Sequence, residues 1–162
     1  MDANHLLEYV IRPTLKSLEL HSEAAEQLIL GTIWQESGGR YLVQLGGGPG
    51  TGLIQMEPAT HHDIWENFLM YRDGLRRRVE QFLSGYAEES AAKSGGFPPC
   101  GELIGNISYA VAMCRIHYLR VEEPLPEAGD TFAMAEYWKQ YYNTASGRGS
   151  AQQFAENYPI AS

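Results

Sequence analysis

Basic charge is the first thing this chain is short of. Twelve Lys and Arg stand against twenty Asp and Glu, for a net charge of −8 over 162 residues. A nucleic-acid surface needs clustered Lys and Arg, so nucleic acid is not expected as a partner. The run Arg76-Arg77-Arg78 reads as a solvated helix face rather than a binding patch. Cysteine is scarce too, with only Cys100 and Cys114. Cys114 falls on a helical apolar stripe, so a buried thiol is expected in preference to a bridge. Long apolar runs are missing: after a polar start, Leu6, Leu7, Val10 and Ile11 come at helical spacing. Neither a signal peptide nor a membrane span is therefore expected.

The signatures of several chemistries are also lacking. The sequence has no G-x-x-x-x-G-K-[ST], no strict G-x-G-x-x-G, no G-x-S-x-G, no H-E-x-x-H and no Cys-x-x-Cys. His61-His62-Asp63 has metal-ligand residue types, but adjacent histidines on a helix point about 100° apart. No metal and no cofactor are expected. Cys114 and His117 stand at i, i+3, open to reading as a Cys–His pair; a core thiol beside a surface histidine is preferred. No internal repeat occurs, and the only strand-like stretch, Tyr41 to Leu45, is short. What the chain does have is aromatic rings: ten Tyr, three Trp and five Phe. Rings and amides suit a sugar polymer, which an acidic balance does not exclude.

One helix carries an odd residue. From Ser22 onward the residues are good helix formers, and Ala25, Leu28, Ile29, Thr32, Ile33 and Glu36 share a face. Glu36 thus prolongs an apolar stripe, in the last turn before Gly38-Gly39. Partial burial and the negative end of the helix dipole both disfavour its charged form. A carboxylic acid still protonated near neutral pH is what a general acid requires. The alternative is a Glu36 that bends out to solvent as the helix ends.

Seven glycines follow between positions 38 and 52, allowing close approach of backbone to backbone or ligand. Then Gly52-Leu53-Ile54-Gln55-Met56 sets one amide among apolar neighbours, which reads either as a groove wall or as a buried segment whose Gln bonds the backbone.

Together, Glu36-Ser37-Gly38-Gly39 and, about sixteen residues after the carboxylate, Gly52-Leu53-Ile54-Gln55-Met56-Glu57-Pro58-Ala59-Thr60 resemble the soluble lytic transglycosylases and their goose-type lysozyme relatives. The pattern of that family is E-S, a loop, then G-L-M-Q-I-x-P-x-T. Two looser echoes follow: Asn106-Ile107 resembles the opening of a core helix, and Tyr142-Asn143, with Ser146-Gly147, resembles a Y-N-A-G motif. Gln44 to Thr51 departs from the family loop, which carries a Ser with no counterpart here, and Thr144-Ala145 makes the second echo imperfect.

The resemblance implies a single lysozyme-like domain over 1–162, mainly helical, with helices around a central helix, a substrate groove and little or no β structure. It implies a peptidoglycan-cleaving enzyme, with Glu36 as the single catalytic acid/base. Ser37, Gly52, Leu53, Gln55, Met56, Tyr142 and Asn143 would contact the sugar strand. A hydrolase would need a second carboxylate, for which Glu57 and Asp63 are the candidates. The partners implied are peptidoglycan glycan strands and, for a wall enzyme without its own signal, other proteins of a phage particle or lysis system. A reading of another class is a non-catalytic wall-binding or structural module of such a particle.

The remaining helices read as follows. Asn4 to Ile11 forms a first helix ended near Pro13, with a short piece from Thr14 to Leu20. Pro58 opens a helix at N1. Asp73 begins another. Residues 84–101 form an irregular loop or flap, with Ser94 to Gly101 unable to be helix. Glu102 to Arg120 is one strong central helix. Thr131 to Tyr142 is helical with Phe132 on its apolar side, and Ser150 caps a last helix reaching Tyr158.

Overall fold

Apolar residues at spacings of three and four run through most of this chain, and the computed structural model turns nearly all of those stretches into helices. It describes residues 1–143 and 147–159. Ser146 of the second motif echo, with Thr144 and Ala145, lies outside the described residues. The helices are α1 (Ala3–Leu6), α2 (Arg12–Ser17), α3 (Glu23–Ser37), α4 (Pro58–Asn67), α5 (Asp73–Glu80), α6 (Gly85–Lys93), α7 (Glu102–Gly105), α8 (Ile107–Leu119), α9 (Thr131–Trp138) and α10 (Ala151–Asn157). Among the described residues the only β pairing is two isolated bridges, Val43 with Thr51 and Thr51 with Met56. The fold is mainly α, and none of its described helices is long and apolar enough to cross a membrane.

Helix α8 is the centre. Tyr109 through Cys114, Ile116 and Tyr118 are all buried, and α2, α3, α4 and α5 pack against it. Cys114 is buried and both thiols are free.

Four expectations need correction. Pro13 does not end the first helix. A π-helical turn, Leu7–Ile11, joins α1 to α2, and Pro13 sits in the first turn after it, where the ladder is already interrupted. The 84–101 segment is not irregular throughout. Ser84 caps α6 by accepting from the Ala87 N–H, and only the Gly- and Pro-rich remainder stays non-helical. The central helix is broken at Asn106, whose side chain accepts from the Tyr109 N–H and caps α8. The Asn106 amide also donates to Glu102 at 2.7 Å and to the Phe82 carbonyl at 2.6 Å. Lastly, Phe132 lies exposed, while Met134, Ala135, Tyr137 and Trp138 form the buried face of α9.

Buried polar groups tie the helices together in pairs. Glu26 of α3 accepts from Nε and Nη2 of Arg12, at 2.7 and 2.9 Å, and meets His21 at 2.6 Å. Thr32 of α3 meets Tyr118 of α8 at 2.8 Å. The third link joins α4 to α8. The Trp65 indole N–H donates to the Tyr109 hydroxyl at 2.9 Å, and that hydroxyl lies 2.7 Å from His61 Nε2. The buried Tyr109 hydroxyl proton needs an acceptor and burial holds His61 neutral, so Tyr109 donates to Nε2 and the ring proton sits on Nδ1. Burial, helped by the charge of His62, pushes the His61 pKa down to about 4.

Removing the shared hydroxyl should leave two buried groups unsatisfied. Tyr109→Phe is expected to lose about 1–3 kcal/mol of stability in urea denaturation at pH 7; a variant as stable as the wild type would contradict the network. The stability that His61 contributes is expected to be lost as pH falls from 6.5, the ordinary imidazole value, to about 4, and is isolated by following the same pH series in a Glu36→Gln background. In that window the unfolded imidazole binds a proton that folded His61 refuses.

Candidate active site

Helix α3 begins at Ser22, whose hydroxyl accepts from the Ala25 N–H, and stops at Gly38, which takes a left-handed φ of 61°. Glu36 therefore stands in the last turn. Its side chain does not bend out to solvent. It is half-buried, and the Trp138 indole N–H donates to its Oε1 at 2.9 Å. Oε2 has no donor among the described residues. Burial outweighs the Trp138 bond and raises the Glu36 pKa to about 7, so near neutral pH a large share of this carboxyl is protonated.

Trp138 is itself held from behind. It is buried on α9, and its ring packs on Phe154 of α10 with centroids 5.5 Å apart. Helix α10 is fixed by a capping box between Ser150 and Gln153. Phe154 fits because position 31 of α3 is glycine: a Cβ there would lie 2.4 Å from the ring. A small residue in α3 thus admits the helix that braces the donor to Glu36.

The glycine-rich loop folds back on itself beside the carboxyl. Gly52 N–H donates to the Leu42 carbonyl at 2.9 Å, and Gln44 and Gly50 exchange bonds at 2.9 and 3.0 Å. Gly52 has a φ of 73°, and a Cβ there would lie 2.5 Å from the Leu103 carbonyl oxygen, so no other residue fits. Gln55 closes the turn with a φ of 48°, a conformation that L residues seldom adopt. Its amide donates to the Gly52 carbonyl at 2.8 Å, which holds the turn shut.

Two cavities meet at Glu36. One, of about 540 Å³, includes Trp34, Ser37, Arg40, Tyr41 and Asn157 in its lining. The other, of about 560 Å³, includes Met56, Glu57, His117, Tyr142, Asn143 and Arg148. Glu36, Gln44 and Gln55 line both, so the two form one cleft with the acid at its junction.

The sequence-derived contact residues divide against this cleft. Gln55, Met56, Tyr142 and Asn143 line it. Ser37 lines it as well, though its hydroxyl is spent on the Ile33 carbonyl at 3.1 Å. Gly52 is packed against Leu103, and Leu53, only 2% exposed, belongs to the core; neither lines the cleft. Tyr142 does not orient Glu36. Its hydroxyl donates to the Ile54 carbonyl at 2.8 Å, and its ring packs on His117 at 4.8 Å. The amide of Asn143 donates to the Arg148 carbonyl at 2.6 Å.

The two candidate second carboxylates also part ways. Glu57 lines the cavity that holds Tyr142. Asp63 is engaged elsewhere, accepting from Arg120 at 2.8 Å and from Asn67 at 2.8 Å, and its pKa is lowered by those bonds. The neighbouring histidines diverge: His61 is buried on Tyr109, while exposed His62 faces Glu66 at 3.5 Å. Among the described residues no three metal-ligating side chains are grouped. His117 is half-buried rather than on the surface, and its Nε2 donates to the Tyr141 carbonyl at 3.0 Å. Burial pushes the Cys114 thiol far up, which removes it as a thiolate nucleophile.

Sequence reasoning missed Trp138 and Gln44. The usable signal for Trp138 was chemical: a buried indole N–H requires an acceptor, and Glu36 was the unexplained acceptor on a buried face. Comparisons with family models, with curated proteins and with solved structures gave no match to this chain.

The raised Glu36 pKa has a consequence for stability. Between 4.5, the ordinary value, and about 7, folded Glu36 keeps a proton that the unfolded chain has released. The Glu36 contribution to stability therefore falls as pH rises through that window, opposite in sign to that of His61. Glu36→Gln, neutral and still able to accept from Trp138, is expected to be more stable than the wild type at pH 8 by roughly 1–3 kcal/mol, the gap closing by pH 5. Urea denaturation at the two pH values checks this; a variant less stable at pH 8 would contradict it.

Proposed function

We propose that the chain is a lysozyme-like peptidoglycan lytic transglycosylase acting on the bacterial cell wall. The observation that carries this reading is the setting of Glu36: a half-buried carboxyl, protonated up to about pH 7, at the junction of two cavities that extend the cleft on either side of it. A glycan strand lying along that cleft would present a glycosidic oxygen to the acid. Glu36 Oε2, with no donor among the described residues, is the oxygen free to carry the transferable proton.

The bond cleaved is the β-1,4 link from N-acetylmuramic acid to N-acetylglucosamine. Protonated Glu36 donates to the bridging oxygen, the bond from C1 to that oxygen breaks, and C1 takes on oxocarbenium character. The Glu36 carboxylate then removes the proton of the muramic acid's own 6-hydroxyl, whose oxygen bonds to C1. The result is a 1,6-anhydro end, with the acid restored. Trp138 holds the carboxyl in place throughout and stabilises the carboxylate between the two proton transfers.

A hydrolase remains the second reading because Glu57 shares a cavity with Glu36 and could activate a water. A non-catalytic wall-binding module predicts binding without product. Mass spectrometry of soluble products from purified peptidoglycan separates the three. Anhydro-muropeptides are expected from the wild type, reduced at least about a hundredfold in Glu36→Gln. Activity is expected to fall as pH rises above about 7, where the acid loses its proton. Reducing-end products would overturn the transglycosylase in favour of the hydrolase, and no product from folded protein would overturn both.

A further inference from the structure

Six of the nine arginines of this acidic chain are occupied. Arg12 is paired with Glu26, Arg76 with Asp73 and Glu80, Arg78 with Glu19 and Arg120 with Asp63. Arg72 stacks on Phe68 and donates to its carbonyl, and Arg115 reaches the Leu20 carbonyl. Three guanidinium groups have no acceptor among the described residues: Arg40, Arg77 and Arg148. Two of those three line the candidate cleft, one in each of the two cavities that share Glu36.

That placement runs against the overall charge. With Glu36 protonated, the ionised side chains of the cleft are Arg40, Arg148 and Glu57, two positive against one negative, on a chain whose net charge is −8. Glu57 forms no ion pair with Arg148 although both line the same cavity. An unpaired guanidinium is a ready fork for a carboxylate, and it keeps its charge at every working pH. A neutral sugar strand offers these groups hydroxyls and acetamido carbonyls but no counter-charge.

Resting on the reading above, we propose that Arg40 and Arg148 bind carboxylates carried by the glycan, so that the cleft selects a strand with anionic substituents on both sides of the cleaved bond over a neutral one. On muramic acid those carboxylates belong either to the bare lactyl group or to the peptide attached to it.

The test compares wild type, Arg40→Gln, Arg148→Gln and the exposed control Arg77→Gln on three substrates: glycan with its peptides, the same glycan stripped of peptides by an amidase, and neutral chitooligosaccharides. On the peptide-bearing glycan each cleft variant is expected to raise KM about tenfold with little change in kcat, and Arg77→Gln to match the wild type. The wild-type KM should rise with salt, and less steeply in the two variants. A loss confined to the stripped glycan assigns the bare lactyl carboxylate, a loss confined to the peptide-bearing strand assigns the peptide, and a loss on both means that the arginines take either carboxylate. Variants within about twofold of wild type on both anionic strands would overturn the proposal. Binding of soluble glycan fragments to the same arginine variants, each also carrying Glu36→Gln, reads the arginines without turnover. Lost binding without any wild-type product supports the anion-reading cleft while the catalytic reading fails. Product with unaltered variants does the reverse.

Discussion

The hydrogen bond from Trp138 to Glu36 is the contact on which the arrangement depends. A carboxyl withdrawn from water is costly when charged, and a buried indole N–H is costly when unmatched. Each resolves the other's problem. The bond joins residues 102 apart in sequence, so it exists only if α9 is delivered to the end of α3. That delivery requires α10, which packs Phe154 behind the indole, and Phe154 requires the vacancy over Gly31. The central helix α8 supports the other wall through Tyr118 on Thr32 and Tyr109 on His61 and Trp65.

Two influences on Glu36 oppose one another. Burial favours the neutral acid, while the indole donor favours the carboxylate, and burial is the larger. A group that must give up a proton and take one back gains from that near-balance, since neither form is trapped. The cost falls on folding at higher pH, as expected where function requires a poorly solvated ionisable group. The left-handed Gln55 in the adjoining turn adds a second local departure from backbone preference.

Much of this was legible in the sequence because it is local. Ser22 and Gly38 mark the ends of α3 by capping chemistry, and the spacing of three and four puts Glu36 on the buried face. Ser150 marks the start of α10 in the same way. The misreadings came where a local signal served two purposes. Asn106 fits a helical pattern of apolar neighbours, yet its side chain caps and breaks that helix. Pro13 is a breaker except after a π turn that has already interrupted the ladder. Gly85 to Lys93 has a helical cap and helix formers, but it adjoins a Gly- and Pro-rich run that obscured it. The Trp138 donor, the Gln44 brace and the burial of Leu53 are tertiary facts without periodicity to announce them.

The claim that matters most is the protonation state of Glu36 in the folded protein. It can be read directly by titrating the side-chain carboxyl carbons of ¹³C-glutamate-labelled protein by NMR, with Glu36→Gln identifying the resonance. The account predicts a midpoint near 7 for that one carboxyl. A midpoint at the ordinary 4.5 would leave an ionised carboxylate in the cleft at neutral pH and would contradict Glu36 as its acid.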